Sequence, residues 1–265
     1  MDRAYESIEL KASPGGVAVV LLNRPDKHNA FNARMVEELA DAFETLRGED
    51  NLRAVILKGA GRSFSAGADL DWMRAAADYT KKENETDAFA LAEMLRKLHS
   101  LPQLTIALVH GACMGGGCGL VAACDVGIAM KDSNFRFSEV RLGITPATIS
   151  PYVIEAIGPR WAKALFMTGE SFDGVFAEKL GLVHFIAETP EDFLALEEHV
   201  TALMFDTAPG AVAEAKRLVA DVSGAIIDEG LSHETARRIA ERRASDEGRE
   251  GLAAFLEKRK PYWAE

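Results

Sequence analysis

Two hydrophobic rhythms alternate through the first half of the chain. Residues 8–10 and 17–22 are apolar runs of strand length, separated by the turn signature Ser13-Pro14-Gly15-Gly16. After a polar loop at 23–29, Met35, Leu39, Phe43 and Leu46 recur every three to four residues. That spacing predicts an amphipathic helix, which Gly48 ends. Residues 54–58 read as a buried strand running into Gly59-Ala60-Gly61. Leu91, Met94, Leu95 and Leu98 predict a second helix over 87–99. Strands at 104–109 and 126–130 flank a segment, 111–124, that is glycine-rich and then small and apolar. A short strand follows at 135–137. This β-then-α alternation predicts an α/β fold.

From residue 150 onward the pattern is almost wholly helical, broken by one strand at 183–186. Helices are expected over 190–205, 210–222, 228–244 and 248–258. The change of rhythm implies a core at 1–204 and a helical region at 205–265. No internal repeat appears, so a solenoid is not expected.

Composition narrows the partners. With 48% hydrophobic residues in 265, the chain can bury a sizeable core. Its 30 Lys and Arg stand against 41 Asp and Glu, a net charge of −11, which argues against nucleic acid or an anionic membrane surface. No apolar run approaches the roughly 20 residues of a membrane helix, and Met1-Asp2-Arg3-Ala4-Tyr5-Glu6 lacks a secretory core. The expected location is the cytoplasm. Cys113, Cys118 and Cys124 contain no Cys-x-x-Cys and read as free buried thiols. Without a secretory signal, the triplet Asn84-Glu85-Thr86 carries no weight as a glycosylation site.

Several stock chemistries fail. There is no Gly-x-Ser-x-Gly elbow, and the six histidines form no His-x-x-x-His pair, so no metal site is expected. Gly115-Gly116-Gly117 lacks the Gly-Lys-Ser/Thr of a P-loop. Gly117-x-Gly119-x-x-Ala122 matches a loose dinucleotide fingerprint, but the next strand leaves room for only about two helical turns. Lys131-Asp132 is also too close to supply the acidic ribose ligand.

Three segments make chemical sense together. Ser63-Phe64-Ser65-Ala66-Gly67-Ala68-Asp69-Leu70 is a small-residue turn after a strand. Met114-Gly115-Gly116-Gly117-Cys118-Gly119-Leu120 opens a helix after another. Both can present backbone N–H groups unobstructed, and two donors aimed at one point make an oxyanion hole. Taken alone, each is equally what a tight turn requires. In the third segment, Phe137-Ser138-Glu139-Val140-Arg141-Leu142-Gly143, Glu139 is a lone carboxylate among apolar neighbours. Such surroundings raise a carboxyl pKa and suit proton transfer.

Asn23-Arg24-Pro25 with Asn29-Ala30, then Ser65-Ala66-Gly67-Ala68-Asp69-Leu70, then Gly115-Gly116-Gly117 with Cys124-Asp125 occur in one order. Glu139 and the ending Gly251-Leu252-Ala253-Ala254-Phe255-Leu256-Glu257-Lys258-Arg259-Lys260 complete the series. Spanning nearly the whole chain, it resembles the enoyl-CoA hydratase/isomerase (crotonase) superfamily. The resemblance implies a crotonase spiral of ββα units with a C-terminal helical trimerisation region, assembling as a trimer or a dimer of trimers. It implies an acyl-CoA thioester substrate whose carbonyl oxygen sits between the N–H groups of Ala68 and Gly116, with Glu139 as acid/base. By position Lys27 and Ala66 would lie along the coenzyme A, and Phe255 and Lys258 would reach that of a neighbouring subunit. No separate cofactor is implied, because coenzyme A arrives as part of the substrate.

One departure matters. Hydratases of this superfamily usually carry two glutamates, and Gly119 stands where the first should be. A single glutamate could still deprotonate water and return that proton to Cα in one syn addition. It could also shuttle a proton between carbons, as Δ3,Δ2-enoyl-CoA isomerases do, or the chain could be a non-catalytic acyl-CoA-binding relative. Residues 68–73 and 138–152 resemble bacterial methylglutaconyl-CoA and isohexenylglutaconyl-CoA hydratases. That likeness implies a branched, carboxylate-bearing substrate, with Arg141 pairing its carboxylate and Trp72, Met73 and Gly119 lining the acyl pocket.

Overall fold

In the computed structural model, which describes residues 4–264, Ile8–Ala12 (β1) and Val17–Leu22 (β2) pair antiparallel with Ile8 opposite Leu22. Asn32 caps Ala33–Arg47 (α1) by accepting the Met35 N–H, and the helix buries Met35, Leu39, Phe43 and Leu46 as their spacing predicts. Ala54–Gly59 (β3) returns parallel to β2. Leu70–Ala76 (α2) buries no residue, so its sequence carried no apolar stripe. Lys81–His99 (α3) begins six residues ahead of the predicted start, because Thr80 and Glu83 form a capping box around a polar first turn.

Leu104–Val109 (β4) is followed by Ala112–Met114 (β5), Gly116–Ala123 (α4), Val126–Met130 (β6) and Asn134–Arg136 (β7). After a short 3-10 turn at Glu139–Leu142 come Ser150–Thr168 (α5), kinked at Gly158-Pro159, then Ser171–Asp173 (β8) and Gly174–Leu180 (α6). The predicted strand at 183–186 is displaced to Phe185–Ala187 (β9). The main sheet runs β1-β2-β3-β4-β6-β9, parallel throughout after the first pair. Strands β5, β7 and β8 make a second, smaller sheet. Fully buried Phe31, Phe43, Phe64, Phe135 and Phe137 belong to one apolar core that also takes in β2, β4 and α3.

Pro190–Phe205 (α7) packs on β6 and β9, and Pro209–Val222 (α8), Glu229–Ala244 (α9) and Asp246–Glu257 (α10) follow. Two polar ties fasten this end to the sheet. Asp125 accepts Thr105 N–H and Oγ1–H at 2.8 Å each and pairs with Lys216 of α8 at 2.7 Å. Arg53, beside β3, donates to Met204 O (2.6 Å), to Thr207 O and to Trp263 O (3.5 Å). Arg53→Met keeps the apolar stem but orphans those carbonyls, so we expect a loss of about 2 kcal/mol, or roughly 4–8 °C in Tm. Limited proteolysis should then cut first near residues 206–208, and unchanged melting and cleavage would contradict the tie. No helix among the described residues is long and apolar enough to cross a membrane.

Candidate active site

The turn after β3 is held from three sides. Ser65 bridges Cys113 in parallel register, with Ser65 N–H donating to Ala112 O (3.0 Å) and Met114 N–H to Ser65 O (2.9 Å). Three residues on, Phe31 N–H donates to Gly67 O (2.6 Å) and Asp69 N–H to Phe31 O (2.8 Å). Those bonds pass on either side of Ala68, whose N–H is therefore directed away from Phe31 in an exposed residue. Gly67 needs its glycine: φ is +87° and a Cβ there would stand 3.1 Å from Met114 O.

The Asn23–Ala30 motif is the scaffold beneath this turn. Buried Asn29 adopts φ +55°, accepts Arg24 N–H, and donates to Ala60 O and Ser63 O at 2.8 Å each. Arg24 pairs with Asp69 at 2.8 Å. Burial pushes the Asp69 carboxyl up, but the bonds from Arg24 and Asp71 outweigh it and hold it below the usual range.

Gly115, at φ +48° and ψ −114°, turns the chain from β5 into α4. Gly116 is the first residue of that helix, so its N–H has no intrahelical acceptor. A Cβ on Gly116 would meet the Phe31 ring at 3.0 Å. Phe31 thus touches both turns, its backbone pairing with Ala68 and its ring lying against Gly116. The two accessible N–H groups, with the positive end of α4, favour an oxygen that acquires negative charge.

Glu139 starts the 3-10 turn that follows β7. Its Oε1 lies 3.1 Å from where a Cβ on Gly115 would be, so the carboxylate sits against the turn into α4. Its Oε2 is buried without a hydrogen-bond partner among the described residues. Burial accordingly pushes the Glu139 carboxyl above its ordinary pKa. A carboxylate of raised basicity, with Oε2 unpartnered among the described residues, beside a helix N-terminus can take and return a proton.

The other predicted residues are spread around these groups. Gly119 does not line open space: it is buried, and a Cβ there would be 2.3 Å from Ile149 Cγ2. Arg141 is exposed, with its Nε and Cγ against Gly169, and forms no ion pair among the described residues. Half-buried Trp72 donates Nε1–H to Asp87 (3.2 Å) and lines a cavity of about 660 Å³ between α1 and α3, while Met73 is half-buried beside it in sequence. Lys27 pairs with Asp71 at 3.4 Å, and Ala66 N–H donates to His28 O. Phe255 is 81% exposed, and Lys258 ends α10 in a left-handed conformation. Its neighbour Arg259 is already taken by Glu250 and Glu257.

A larger cavity, about 1060 Å³ between the ends of α3 and α4 and α8, touches none of Glu139, Ala68 or Gly116. Sequence reasoning missed Phe31, Arg24 and Ile149. The first two lie in or beside the Asn23–Ala30 motif, and Ile149 lies within the 138–152 stretch, where no spacing signalled its contact with Gly119.

A family model described as enoyl-CoA hydratase/isomerase matches residues 12–265. The crystal structure of an enoyl-CoA hydratase from Shewanella pealeana is 39% identical and superposes with a TM-score of 0.94, covering 97% of this chain and 96% of that one. An enoyl-CoA hydratase/isomerase structure from Marinobacter aquaeolei is 34% identical, with a TM-score of 0.92 and coverage of 98% and 99%. The mitochondrial Delta(3,5)-Delta(2,4)-dienoyl-CoA isomerase of Dictyostelium discoideum is 28% identical over 257 residues, 93% of this chain and 87% of that protein.

Proposed function

This chain belongs to the enoyl-CoA hydratase/isomerase family and has its crotonase fold, and from that premise we propose that it hydrates a 2-enoyl-CoA reversibly through Glu139 alone. The observation that carries this reading is the Glu139 carboxylate, raised in basicity and unpaired at Oε2, against the turn that delivers Gly116 N–H. The thioester oxygen lies between the N–H groups of Ala68 and Gly116. Glu139 takes a proton from water as the water oxygen bonds to Cβ. The π electrons move through Cα to the thioester oxygen, giving an enolate held by the two donors. The enolate collapses by taking that proton back from Glu139 at Cα, so the carboxylate is regenerated and one water is added.

A branched substrate such as 3-methylglutaconyl-CoA is the finer proposal. Arg141, exposed, two residues from Glu139 and without an ion pair among the described residues, supports recognition of a substrate carboxylate. Lys27 and Ala66 would flank the coenzyme A, and Phe255 and Lys258 would complete the site of a neighbouring copy. Assembly as a trimer or dimer of trimers is supported by apolar side chains left in water near the end of the chain, among them Ile227 at 90% and Leu256 at 78% exposure. The second reading is a Δ3,Δ2-enoyl-CoA isomerase, favoured by the closed position at Gly119. There Glu139 would remove a proton from Cα and return it to Cγ.

Enoyl-CoAs from crotonyl to 3-methylglutaconyl, incubated with the protein in H₂¹⁸O, separate these by mass spectrometry. We expect one labelled water to be gained, fastest with the branched diacid substrate. A double-bond shift without added oxygen would establish the isomerase, and no change across the panel would leave the binding-only relative.

A further inference from the structure

The two proposed N–H donors are not equally secured. Gly116 opens α4, most of whose residues are buried, and the Phe31 ring lies against it. Ala68 is exposed and stands between Gly67 and α2, a helix that buries no residue and so gives the turn nothing to lean on. Its neighbours reach Phe31 by two backbone bonds, from Phe31 N–H to Gly67 O and from Asp69 N–H to Phe31 O, in an isolated bridge outside the strands. Any further hold on the direction of Ala68 N–H has to come from side chains.

The side chain next to Ala68 supplies it. Asp69 is 4% exposed and gives its two oxygens to different partners. Oδ1 accepts Asp71 N–H at 2.8 Å, which caps α2, and Oδ2 accepts Arg24 Nη2–H at 2.8 Å. The other amino group of that guanidinium, Nη1, donates to Ala30 O at 2.5 Å. Arg24 thus grips the residue before Phe31 and the residue after Ala68 at once, spanning the two segments that the bridge joins by backbone alone. Its own backbone is fixed by Asn29, whose Oδ1 accepts Arg24 N–H and whose N–H donates to Arg24 O, at 2.9 Å each. Two acceptors in fixed directions suit the planar guanidinium and not a single ammonium. A pair so far from water also leaves an uncompensated charge when one partner is removed.

We propose that Arg24 and Asp69 are positioning residues for the reaction, a clasp that fixes the direction of Ala68 N–H and with it the polarisation of the thioester carbonyl. This rests on the reading of Ala68 as an oxyanion donor. Neither residue touches the substrate. Because the Asp69 carboxylate also caps α2, one group sets both the donor and the first turn that carries Trp72 and Met73.

Butyryl-CoA labelled with ¹³C at its thioester carbonyl tests this by isotope-edited infrared, which reads the N–H donors without turnover and without a base. In the parent chain the carbonyl stretch of the bound ligand should lie below that of the free thioester. Asp69→Asn keeps the size but leaves one acceptor oxygen for two donors, so the stretch should move back toward the free value. Its kcat for crotonyl-CoA should fall about tenfold, part of the roughly 10²–10³-fold that losing a donor outright costs. Arg24→Gln should do the same, and the double variant should lose little more than either single, because the pair acts as one unit. Arg53→Met, weakened in the tie to the C-terminal helices, is the stability control: its Tm should fall while stretch and kcat stay parental. A folded Asp69→Asn with the parental stretch, or fully additive losses in kcat, would overturn the proposal. If neither single variant folds, Arg24→Lys decides. It keeps the charge but cannot hold both acceptors, so a parental stretch there would overturn the proposal as well. A parent stretch no lower than that of the free thioester would instead sink Ala68 and Gly116 as oxyanion donors, and that outcome is read on the parent alone.

Discussion

Glu139→Gln is expected to lower turnover by about 10²–10⁴-fold while leaving acyl-CoA binding nearly intact and raising Tm at neutral pH. On the proposed function, the activity loss follows from removing the carboxylate that lies against the Gly115–Gly116 turn, and binding survives because the N–H pair and the coenzyme A contacts proposed above belong to other residues. The stability gain follows from the sign of the Glu139 shift. Burial raises its carboxyl, with Oε2 unpartnered, so the folded protein favours the protonated form. The stability this group contributes is fully present below the ordinary glutamate range and is lost as pH rises through the raised pKa. A neutral amide escapes that loss. The Tm difference between variant and parent should therefore be positive at pH 8 and vanish by about pH 4. The parent's activity should fall toward acid through that same raised pKa. Calorimetry with a saturated acyl-CoA checks binding and thermal melts at the two pH values check stability. Retained turnover would remove Glu139 from the chemistry, and a lower Tm at pH 8 would mean that its carboxylate is compensated in the fold.

What the sequence disclosed was whatever one element could declare alone. The apolar stripe of α1 and the runs of β2, β3, β4 and β6 are single-element signals, and each appears where its periodicity put it. Helix α2 buries nothing and had no stripe to show. Strands β5 and β8 have three residues each, too short for any period. Ile226 and Ile227 lie between the predicted helices 210–222 and 228–244, and they are 83% and 90% exposed.

The site divides in the same way. The glycine turns and the lone carboxylate were visible as local chemistry. That Gly119 answers to Ile149, thirty residues away, or that Asn29 ties down Ser63, is a property of contact and has no trace in spacing. The contact of Gly119 with Ile149 could not be foreseen for that reason, since a glycine announces an absent side chain but not what fills the room.

Phe31→Ala should be the most damaging substitution outside Glu139, because this ring serves stability and geometry at once. It is 1% exposed in the main core, and truncating a buried phenylalanine costs about 3–5 kcal/mol. The same ring lies against Gly116, while the Phe31 backbone holds Gly67 and Asp69 on either side of Ala68. Loss of the ring frees the α4 end to shift relative to the Ala68 turn, and a displaced oxyanion donor costs about 10²–10³-fold in kcat. Phe31→Leu keeps more of the apolar volume and should fold, which lets the two effects be measured apart. In that variant kcat should fall while KM changes little, because Phe31 is not among the residues proposed to hold the coenzyme A. The pH profile should keep the parent's ionisation, since Glu139 is untouched, and this separates a misplaced donor from a disturbed base. A folded Phe31→Leu with parental kcat would mean that Ala68 and Gly116 are positioned without the ring, leaving Phe31 a core residue alone.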